Sequence, residues 1–262
     1  MTQSRQRPRG NETSRPDHRR SIEPHPVLAD FYTQRAQRSA FVRRLFNETA
    51  SHYDALNRLF SFGSGAWYRR RCLVRAGVRP GHRIIDVAVG TGLLAQEALA
   101  ITGAPQDVIG VDLSEAMLAT ARRKLDIPLV QGLAEQLPLA EASADFVTMG
   151  YALRHVSDLV TAFREFNRVL RRGGTVVLLE IGRPSGGLSR ALMSAYLGQL
   201  VPFLSRYAAG APTRTLLRYY WETIEHCVAP EIILGAMKES GFCETNCTAD
   251  MGIFRSYVGR KP

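Results

Sequence analysis

The chain lacks long apolar runs and is poor in cysteine, and each absence excludes a class of protein. None of its 262 residues lies in a run near the ~18 apolar residues that span a membrane, and the N-terminus has no apolar segment of the kind found in secretory signals. Its four cysteines, Cys72, Cys227, Cys243 and Cys247, include no C-x-x-C pair, so we expect neither a disulfide scaffold nor a metal site. These absences predict a cytoplasmic protein with reduced thiols.

Acidic residues are too few to balance the basic ones, which gives a formal net charge of +10. Residues 1–25 hold six arginines and almost no large apolar side chains, so we predict that they form a disordered basic tail. A solvated tail is the simplest interpretation, and the alternative is attraction to anionic lipid headgroups or nucleic acid. The chain as a whole is 45% hydrophobic, which suits one large globular domain with an insertion.

Helical periodicity dominates the first part of the chain. Residues 27–77 are predicted to be helical, with one apolar face that begins at Val27 and another that begins at Phe41. A turn is expected at 61–65, followed by a helix that carries Trp67.

Strands and helices then alternate, which predicts a parallel sheet covered on both faces. Gly173 and Gly174 are expected to end the third helix of this series. The predicted strands are 83–88, 108–112, 128–131, 145–150 and 175–180, and the helices are 93–102, 114–125 and 158–171. A helical insertion at 183–227, a helix at 229–240 and a closing hairpin at 241–259 complete the prediction.

A glycine-rich turn, Asp86-Val-Ala88-Val-Gly90-Thr-Gly92, follows the first predicted strand. Its small residues let a ligand approach the backbone, and Asp112, which ends the second strand, can accept hydrogen bonds from ribose hydroxyls. Both features suit a nicotinamide dinucleotide as well as S-adenosylmethionine. Asp86 separates the two, because a carboxylate there would repel a pyrophosphate and attract the ammonium and sulfonium groups of S-adenosylmethionine. We therefore predict S-adenosylmethionine as the cofactor.

Several further segments accompany this turn, and together they resemble one family. They are Asp112-Leu-Ser-Glu-Ala-Met-Leu118, Ala134-Glu-Gln-Leu-Pro138, Leu153-Arg-His-Val156, Arg168-Val-Leu-Arg-Arg-Gly-Gly174, and Tyr53-Asp-Ala-Leu-Asn57 with Ser61-Phe-Gly63. From about Val42 to Lys261 the chain resembles the UbiE-like ubiquinone/menaquinone-biosynthesis C-methyltransferases, a family of class I methyltransferases.

The resemblance implies an α/β fold of the Rossmann-like class I methyltransferase type. Such a fold has a seven-stranded, mostly parallel sheet with helices on both faces. Residues 26–80 would form an N-terminal helical lid. Residues 81–262 would form the methyltransferase domain that binds S-adenosylmethionine, with the helical insertion at 183–227.

The resemblance also implies a set of cofactor-binding residues. Thr91 would meet the cofactor at the glycine turn, Met117 would flank the adenine, and the pair Leu133 and Ala134 would lie at the adenine edge. Leu133 departs from the family, which usually has Asp or Asn there and so gains a hydrogen bond worth about 1 kcal/mol. The full set is Tyr53, Asp86, Ala88, Gly90, Thr91, Gly92, Asp112, Leu113, Met117, Leu133, Ala134 and Gly150.

Two residues after the fourth strand are candidate catalytic residues. The resemblance assigns Arg154 to positioning or activating an aromatic hydroxyl, and an arginine would do so by stabilising the oxyanion or orienting water, because it stays protonated. The alternative is a structural pair between Arg154 and a carboxylate. His155, which replaces a common Asn, is either the general base or a packed histidine. The candidate substrate residues are Tyr151, Asn57 and Tyr219, and aromatic core packing is the alternative for the tyrosines.

C-methylation of a small quinol-like or phenolic ring is the function that the resemblance favours. The alternatives are O- or N-methylation in natural-product biosynthesis, and a catalytically silent partner protein that binds S-adenosylmethionine. A nucleic-acid methyltransferase is disfavoured, because Met149-Gly-Tyr-Ala152 lacks the Asp/Asn-Pro-Pro-aromatic motif that presents a base amine. A lipid acceptor would suit a peripheral membrane contact, and the 183–227 insertion could form a homodimer surface.

Overall fold

The computed structural model describes residues 21–55, 57, 65–183, 210–250 and 252–262. Its helices are α1 (Arg38–Thr49), α2 (Gly65–Arg75), α3 (Leu93–Thr102), α4 (Glu115–Arg122), α5 (Leu159–Val169), α6 (Ala211–Glu225) and α7 (Pro230–Glu239). Its strands are β1 (Ile84–Val87), β2 (Val108–Asp112), β3 (Leu129–Gln131), β4 (Ala144–Gly150), β5 (Leu170–Ile181), β6 (Cys243–Asp250) and β7 (Phe254–Arg260).

One seven-stranded sheet organises the chain, in the order β3-β2-β1-β4-β5-β7-β6. The first five of these strands pair in parallel, and β7 runs antiparallel to both β5 and β6. The strand order reverses between β1 and β4, and the carboxyl ends of the strands open a crevice at such a point. The predicted mostly parallel sheet and the closing hairpin are confirmed.

Hydrophobic cores cover both faces of this sheet, because neighbouring residues of a buried strand point to opposite sides. In β5, Val176 and Leu178 pack with α5 and α7, whereas Val177 and Leu179 pack with α2, α3 and α4. These are the helical layers on both faces that the alternation predicts.

A third core joins the N-terminal helix to the helix late in the chain. Phe41 and Leu45 of α1 pack against Leu216 and Tyr219 of α6. Both helices also contact the short 3-10 helix Leu153–His155, which follows β4. They therefore cover the carboxyl end of the sheet.

Several predicted boundaries are wrong. The third helix of the alternating series ends at Val169 and β5 begins at Leu170, so Gly173 and Gly174 lie inside β5 rather than at a helix end. Residues 27–34 are not helical, and Val27 is exposed. The buried residues of this segment, Leu28 and Tyr32, flank a turn at 29–31.

Residues 21–25 are not part of a disordered tail. The Ile22 N–H donates to a carboxylate oxygen of Asp158 over 2.8 Å, and His25 is buried. Residues 1–20, 58–64 and 184–209 lie outside the described part, so most of the predicted tail, the 61–65 turn and much of the insertion are not placed. The division into tail, lid and methyltransferase domain stays a prediction. Within the described ranges, no helix is long and apolar enough to cross a membrane.

Candidate functional site

A cavity of about 730 Å³, counting its open mouth, lies at the carboxyl ends of β1, β2 and β4. The residues predicted to hold the cofactor form much of its wall, and α1 adds side chains that the sequence did not suggest. The lining residues are Ser39, Val42, Phe46, Tyr53, Ala88, Gly90, Asp112, Leu113, Met117, Gly132, Leu133, Ala134, Glu135, Gly150, Tyr151, Ala152, His155 and Val156.

The glycine turn after β1 is held in left-handed backbone conformations. Gly90 and Gly92 have φ of 58° and 89°, and Ala88 has φ of 55° although it carries a Cβ. Such a conformation costs an alanine about 1–2 kcal/mol, and residues strained in this way cluster at functional sites. Ala88 and Gly90 line the cavity.

Gly92, which was predicted to bind the cofactor, is not among the residues that line either cavity, and its close contact is one of packing. A Cβ on this glycine would lie 2.6 Å from Leu125 Cδ1. The Gly92 φ of 89° lies in the left-handed region that favours glycine, and the nearby side chain of Leu125, in the segment after α4, leaves little room for a Cβ.

Asp112 is positioned by two backbone hydrogen bonds. Gly90 N–H donates to Oδ2 over 2.7 Å, and Ser114 N–H donates to Oδ1 over 2.8 Å. Burial raises the pKa of this carboxyl from 3.8 to about 6. Each oxygen keeps a further lone pair, so the carboxylate can still accept hydrogen bonds from two hydroxyl groups.

Asp86 lines a smaller adjoining cavity of about 350 Å³, together with Thr91 and Asn57. The Thr148 hydroxyl donates to Oδ1 over 2.7 Å, whereas Oδ2 is buried and has no partner among the described residues. Burial raises the pKa of this carboxyl to about 7. A buried carboxylate oxygen without a partner is costly, so the site fits a cationic group such as the ammonium of S-adenosylmethionine.

Part of the wall of the main cavity is apolar. Leu113, Met117, Leu133 and Ala134 line it, and Met117 N–H donates to Ser114 Oγ at the start of α4. Such a wall suits the flat face of an adenine.

Two polar contacts tie the N-terminal helices to the cofactor half of the site. The Thr91 hydroxyl donates to Asp54, which also forms an ion pair with Lys124. The Ser114 hydroxyl donates to Asn47 Oδ1 of α1 over 2.6 Å. These contacts join residues far apart in the chain, so no local pattern could have revealed them.

His155 lines the cavity with both ring nitrogens buried and without partners among the described residues. Its ring stacks on Tyr219 and Tyr220, at centroid distances of 5.3 and 5.8 Å, and meets the edge of Phe46 at 5.4 Å. Burial, followed by the charge of Arg154, lowers its pKa well below 6.5. The imidazole is therefore neutral at pH 7 and presents one donor and one acceptor, but it is a weak base.

Arg154 does not line the cavity, although it was predicted to reach the substrate. It is buried, with Nη1 2.5 Å from Glu180 Oε2 and Nε 3.2 Å from the hydroxyl of Thr223, and it lies over the ring of Tyr220. The structural pair that the sequence left as the alternative is what the structure shows. The reason is that the 3-10 turn directs Arg154 into the core and His155 into the cavity.

The three predicted substrate residues have different environments. Tyr151 lines both cavities and has φ of 61°, a strained conformation for a residue with a side chain. Asn57 lines the smaller cavity and accepts a hydrogen bond from Arg69 over 3.0 Å. Tyr219 is fully buried behind His155 and does not line the cavity, so the core alternative holds for this residue.

Comparison with known proteins shows the family of this chain. The family model described as the ubiE/COQ5 methyltransferase family matches residues 33–261. The chain belongs to this family.

Curated relatives support the assignment over most of the chain. A ubiquinone/menaquinone biosynthesis C-methyltransferase of Coxiella burnetii is 32% identical over 79% of this chain and 84% of its own length. A demethylmenaquinone methyltransferase of Thermus thermophilus is 34% identical over 83% of this chain and 100% of its own. The resemblance inferred from the sequence motifs is confirmed.

The fold has solved counterparts. A putative S-adenosyl-L-methionine-dependent methyltransferase of Methanococcus maripaludis superposes with a TM-score of 0.62 at 17% identity, covering 83% of this chain and 94% of that one. At this identity the likeness concerns the fold alone. Family and fold agree with the expected enzyme class, a methyltransferase that depends on S-adenosylmethionine.

Proposed function

We propose that this ubiE/COQ5-family enzyme transfers the methyl group of S-adenosylmethionine to a ring carbon of a quinol-like acceptor. The observation that carries the proposal is His155, a neutral imidazole with unpartnered ring nitrogens in the cavity that also contains Asp112. The names of the relatives point to quinone rings as acceptors.

The cofactor-binding assignments follow from the two cavities. Asp86 Oδ2 would accept a hydrogen bond from the ammonium group, and Asp112 would accept hydrogen bonds from the ribose hydroxyls. The adenine would lie against Met117, Leu133 and Ala134. When bound, S-adenosylmethionine supplies an electrophilic methyl group on a sulfonium.

The chain's own residues would hold and activate the acceptor. A ring carbon becomes nucleophilic when a neighbouring ring hydroxyl loses its proton, and a hydrogen bond to the oxygen favours that state. His155 would donate its N–H to this oxygen, and Tyr151 would confine the ring. Tyr53, which the resemblance implies as a cofactor-binding residue, lines both cavities and would lie where cofactor and acceptor meet. Because the pKa of His155 is low, it would orient the hydroxyl, and the hydroxyl proton would leave to solvent.

The ring carbon then bonds to the methyl carbon as the bond between that methyl and sulfur breaks. The hydrogen of the same ring carbon leaves to solvent as a proton, which restores the aromatic ring, and the ring oxygen takes up a proton again.

Arg154 would act through other residues rather than by contact with the acceptor. It lies over Tyr220, which stacks on His155 and whose hydroxyl donates to the Tyr53 hydroxyl over 3.0 Å. We assign Arg154 as a positioning residue for this aromatic wall.

The experiment is methylation with S-adenosylmethionine that carries a deuterated methyl group. Reduced benzoquinones and naphthoquinones that lack one ring methyl are the acceptors, and NMR of the product locates the new methyl. A methyl on a ring carbon supports the proposal. A methyl on oxygen or nitrogen identifies the natural-product alternative, and binding of S-adenosylhomocysteine with no turnover on any acceptor identifies a silent binding protein.

Assembly and location remain proposals of their own. An apolar acceptor held in lipid would require a peripheral membrane contact from an otherwise cytoplasmic enzyme. A homodimer through the 183–227 insertion predicts a sedimentation coefficient that rises with protein concentration, and a constant monomer value would contradict it.

A further inference from the structure

The outer face of α2 carries an apolar and basic surface that the proposed chemistry does not use. Trp67, Arg70, Arg71 and Val74 follow the i, i+3, i+4, i+7 spacing, which places them on one side of the helix. Trp67 is 57% exposed and Val74 is 55% exposed. We call these four residues the α2 surface.

The apolar part of the α2 surface stands out on this chain. Among the described residues the exposed large apolar side chains are Val27, Trp67, Val74 and Ile232, so two of them lie two helical turns apart on α2. The guanidinium carbon of Arg71 lies 5.1 Å from the ring centroid of Trp67 and supports the indole on the surface. A paired apolar patch beside arginines is typical of an interaction site rather than of scattered surface residues.

The charge of α2 has a single sign. The helix contains four arginines and no acidic residue. Arg75 pairs with Asp250 at 3.3 Å, whereas no ion pair within the described ranges involves Arg70 or Arg71, and both are exposed. Two guanidinium groups are thus presented beside an exposed indole.

We propose that the α2 surface docks the enzyme on an anionic lipid bilayer. Trp67 and Val74 would enter the boundary between headgroups and acyl chains, and Arg70 and Arg71 would lie on the lipid phosphates, as on basic interfacial helices. Nucleic acid would attract the two arginines equally, but it would leave Val74 in water. The lipid surface is therefore the partner that uses all four side chains.

The same helix connects this surface to the site. Arg69, on the inner side of α2, lines the smaller cavity and donates to Asn57 over 3.0 Å. Docking would thus place the site close to lipid, where an apolar acceptor is dissolved. In this respect the inference rests on the proposed function, although the docking itself requires no acceptor.

Cosedimentation of the full chain with vesicles tests the proposal. Phosphatidylcholine vesicles with and without phosphatidylglycerol are compared for wild type, Arg70→Gln/Arg71→Gln and Trp67→Ala. Loss of the two arginines should weaken binding to the anionic vesicles about 30-fold. Arg122→Gln/Arg123→Gln at the C-terminal end of α4 is the matched control, which removes the same charge from two other exposed arginines and should bind at least tenfold more tightly than the α2 variant.

Fluorescence reports the depth of the indole. In Trp221→Phe, Trp67 is the remaining tryptophan, and its emission should shift to the blue and be quenched by brominated lipids. The proposal is overturned if the two double variants bind alike, or if Trp67 emission does not change. A third result would also overturn it, namely that Trp67→Ala binds vesicles as tightly as wild type while Arg70→Gln/Arg71→Gln no longer binds single-stranded RNA. The α2 surface would then be a nucleic-acid surface.

The docking of α2 on lipid and the proposed methylation of a quinol can be rejected independently of each other. Methyl transfer to a short, water-soluble quinol should be unchanged in Arg70→Gln/Arg71→Gln, because its substitutions lie outside the cavity. Vesicle binding through α2 without methylation of any quinol would leave docking standing and reject the proposed acceptor. Methylation of a quinol by an enzyme whose vesicle binding does not depend on α2 would support the proposed acceptor and reject the docking surface.

Discussion

Arg154 and Glu180 form an ion pair in which both side chains are buried, with exposed fractions of 2% and 5% and 2.5 Å between Nη1 and Oε2. Glu180 also accepts a hydrogen bond from the Leu153 N–H over 2.7 Å. The pair therefore connects β5 to the turn that carries His155.

Removal of one partner should destabilise the protein severely. We expect Arg154→Met or Glu180→Gln to lower the free energy of unfolding by about 3–5 kcal/mol, because an uncompensated charge or an unmatched buried donor remains. Urea denaturation measures the change. Asp30→Ala, which breaks the exposed pair with Arg218, is the control and should cost less than about 1 kcal/mol. Similar losses of unfolding free energy in the two cases would show that burial does not make the Arg154–Glu180 pair more important for stability.

His155 should affect turnover without supporting the fold. In His155→Leu the unpartnered nitrogens disappear, so we expect stability close to wild type, unchanged binding of S-adenosylhomocysteine, and a kcat about 10- to 100-fold lower. His155→Asn keeps a donor and an acceptor and should recover part of the loss. A kcat equal to wild type in His155→Leu would exclude a contact with the acceptor.

The pH dependence of kcat/KM tests whether His155 acts as a general base. Its pKa lies well below 6.5, so the ring is already neutral across pH 6–8. Any change in kcat/KM near pH 6.5 should therefore be the same in wild type and in His155→Asn. A limb that disappears in the variant would show that His155 titrates there.

Asp86 should make cofactor binding depend on pH. Its pKa is about 7 in the free protein, so the carboxyl must lose a proton before it can pair with an ammonium group. The Kd for S-adenosylhomocysteine should rise about tenfold from pH 8 to pH 6, measured by calorimetry. Thr148→Val removes the hydrogen bond that lowers this pKa, so the dependence should move to higher pH. Asp86→Asn should bind weakly and keep only the smaller dependence near pH 6 that Asp112 contributes.

The raised pKa of Asp86 also determines whether the stability of the free protein rises or falls with pH. The unfolded chain loses this proton near 3.8, whereas the folded chain keeps it until about 7. The contribution of Asp86 to stability therefore falls as pH rises from about 4 to about 7. Subtraction of Asp86→Asn unfolding curves from those of wild type isolates this contribution, and a rise with pH would contradict the buried carboxyl.

Asp54 should slow the release of the cofactor. It bridges Thr91 of the glycine turn and Lys124 of the segment after α4, so Asp54→Ala removes one of the two polar contacts between the N-terminal helices and the site. We expect S-adenosylhomocysteine to dissociate about tenfold faster in a competition experiment. Glu48→Ala, an exposed acidic residue of α1, should leave the rate unchanged. Equal rates in all three proteins would show that the bridge does not restrain the site.

Gly92 should be required for packing. In Gly92→Ala the new Cβ meets Leu125 at 2.6 Å with φ of 89°, so we expect a loss of about 2–4 kcal/mol of stability. Gly103→Ala has φ of 87° and open space, and should lose only about 1–2 kcal/mol of stability. Equal losses in thermal unfolding would mean that the contact with Leu125 is irrelevant.

The strands and the glycine turn could be predicted from the sequence because their signals are local. Buried parallel strands are short β-branched runs, and a left-handed turn between strand and helix requires small residues. Ser114 was correctly predicted to begin a helix, since its hydroxyl accepts from the Met117 N–H. Ala88 and Asp112 follow from such signals, whereas Met117 was implied by the family resemblance, and all three line the cavity.

The sequence by itself therefore determined the enzyme class, the sheet and the run of small residues in the glycine turn beside the cofactor cavity. Only the tertiary structure decided which of two adjacent residues faces the cavity. Arg154 and His155 carry equally plausible chemistry, but the 3-10 turn directs one towards Glu180 and the other towards the ligand. Partners such as Asp54 and Thr91, or Arg154 and Glu180, are separated by 37 and 26 positions. No local pattern encodes such pairs, because they arise only when the sheet and the covering helices have packed.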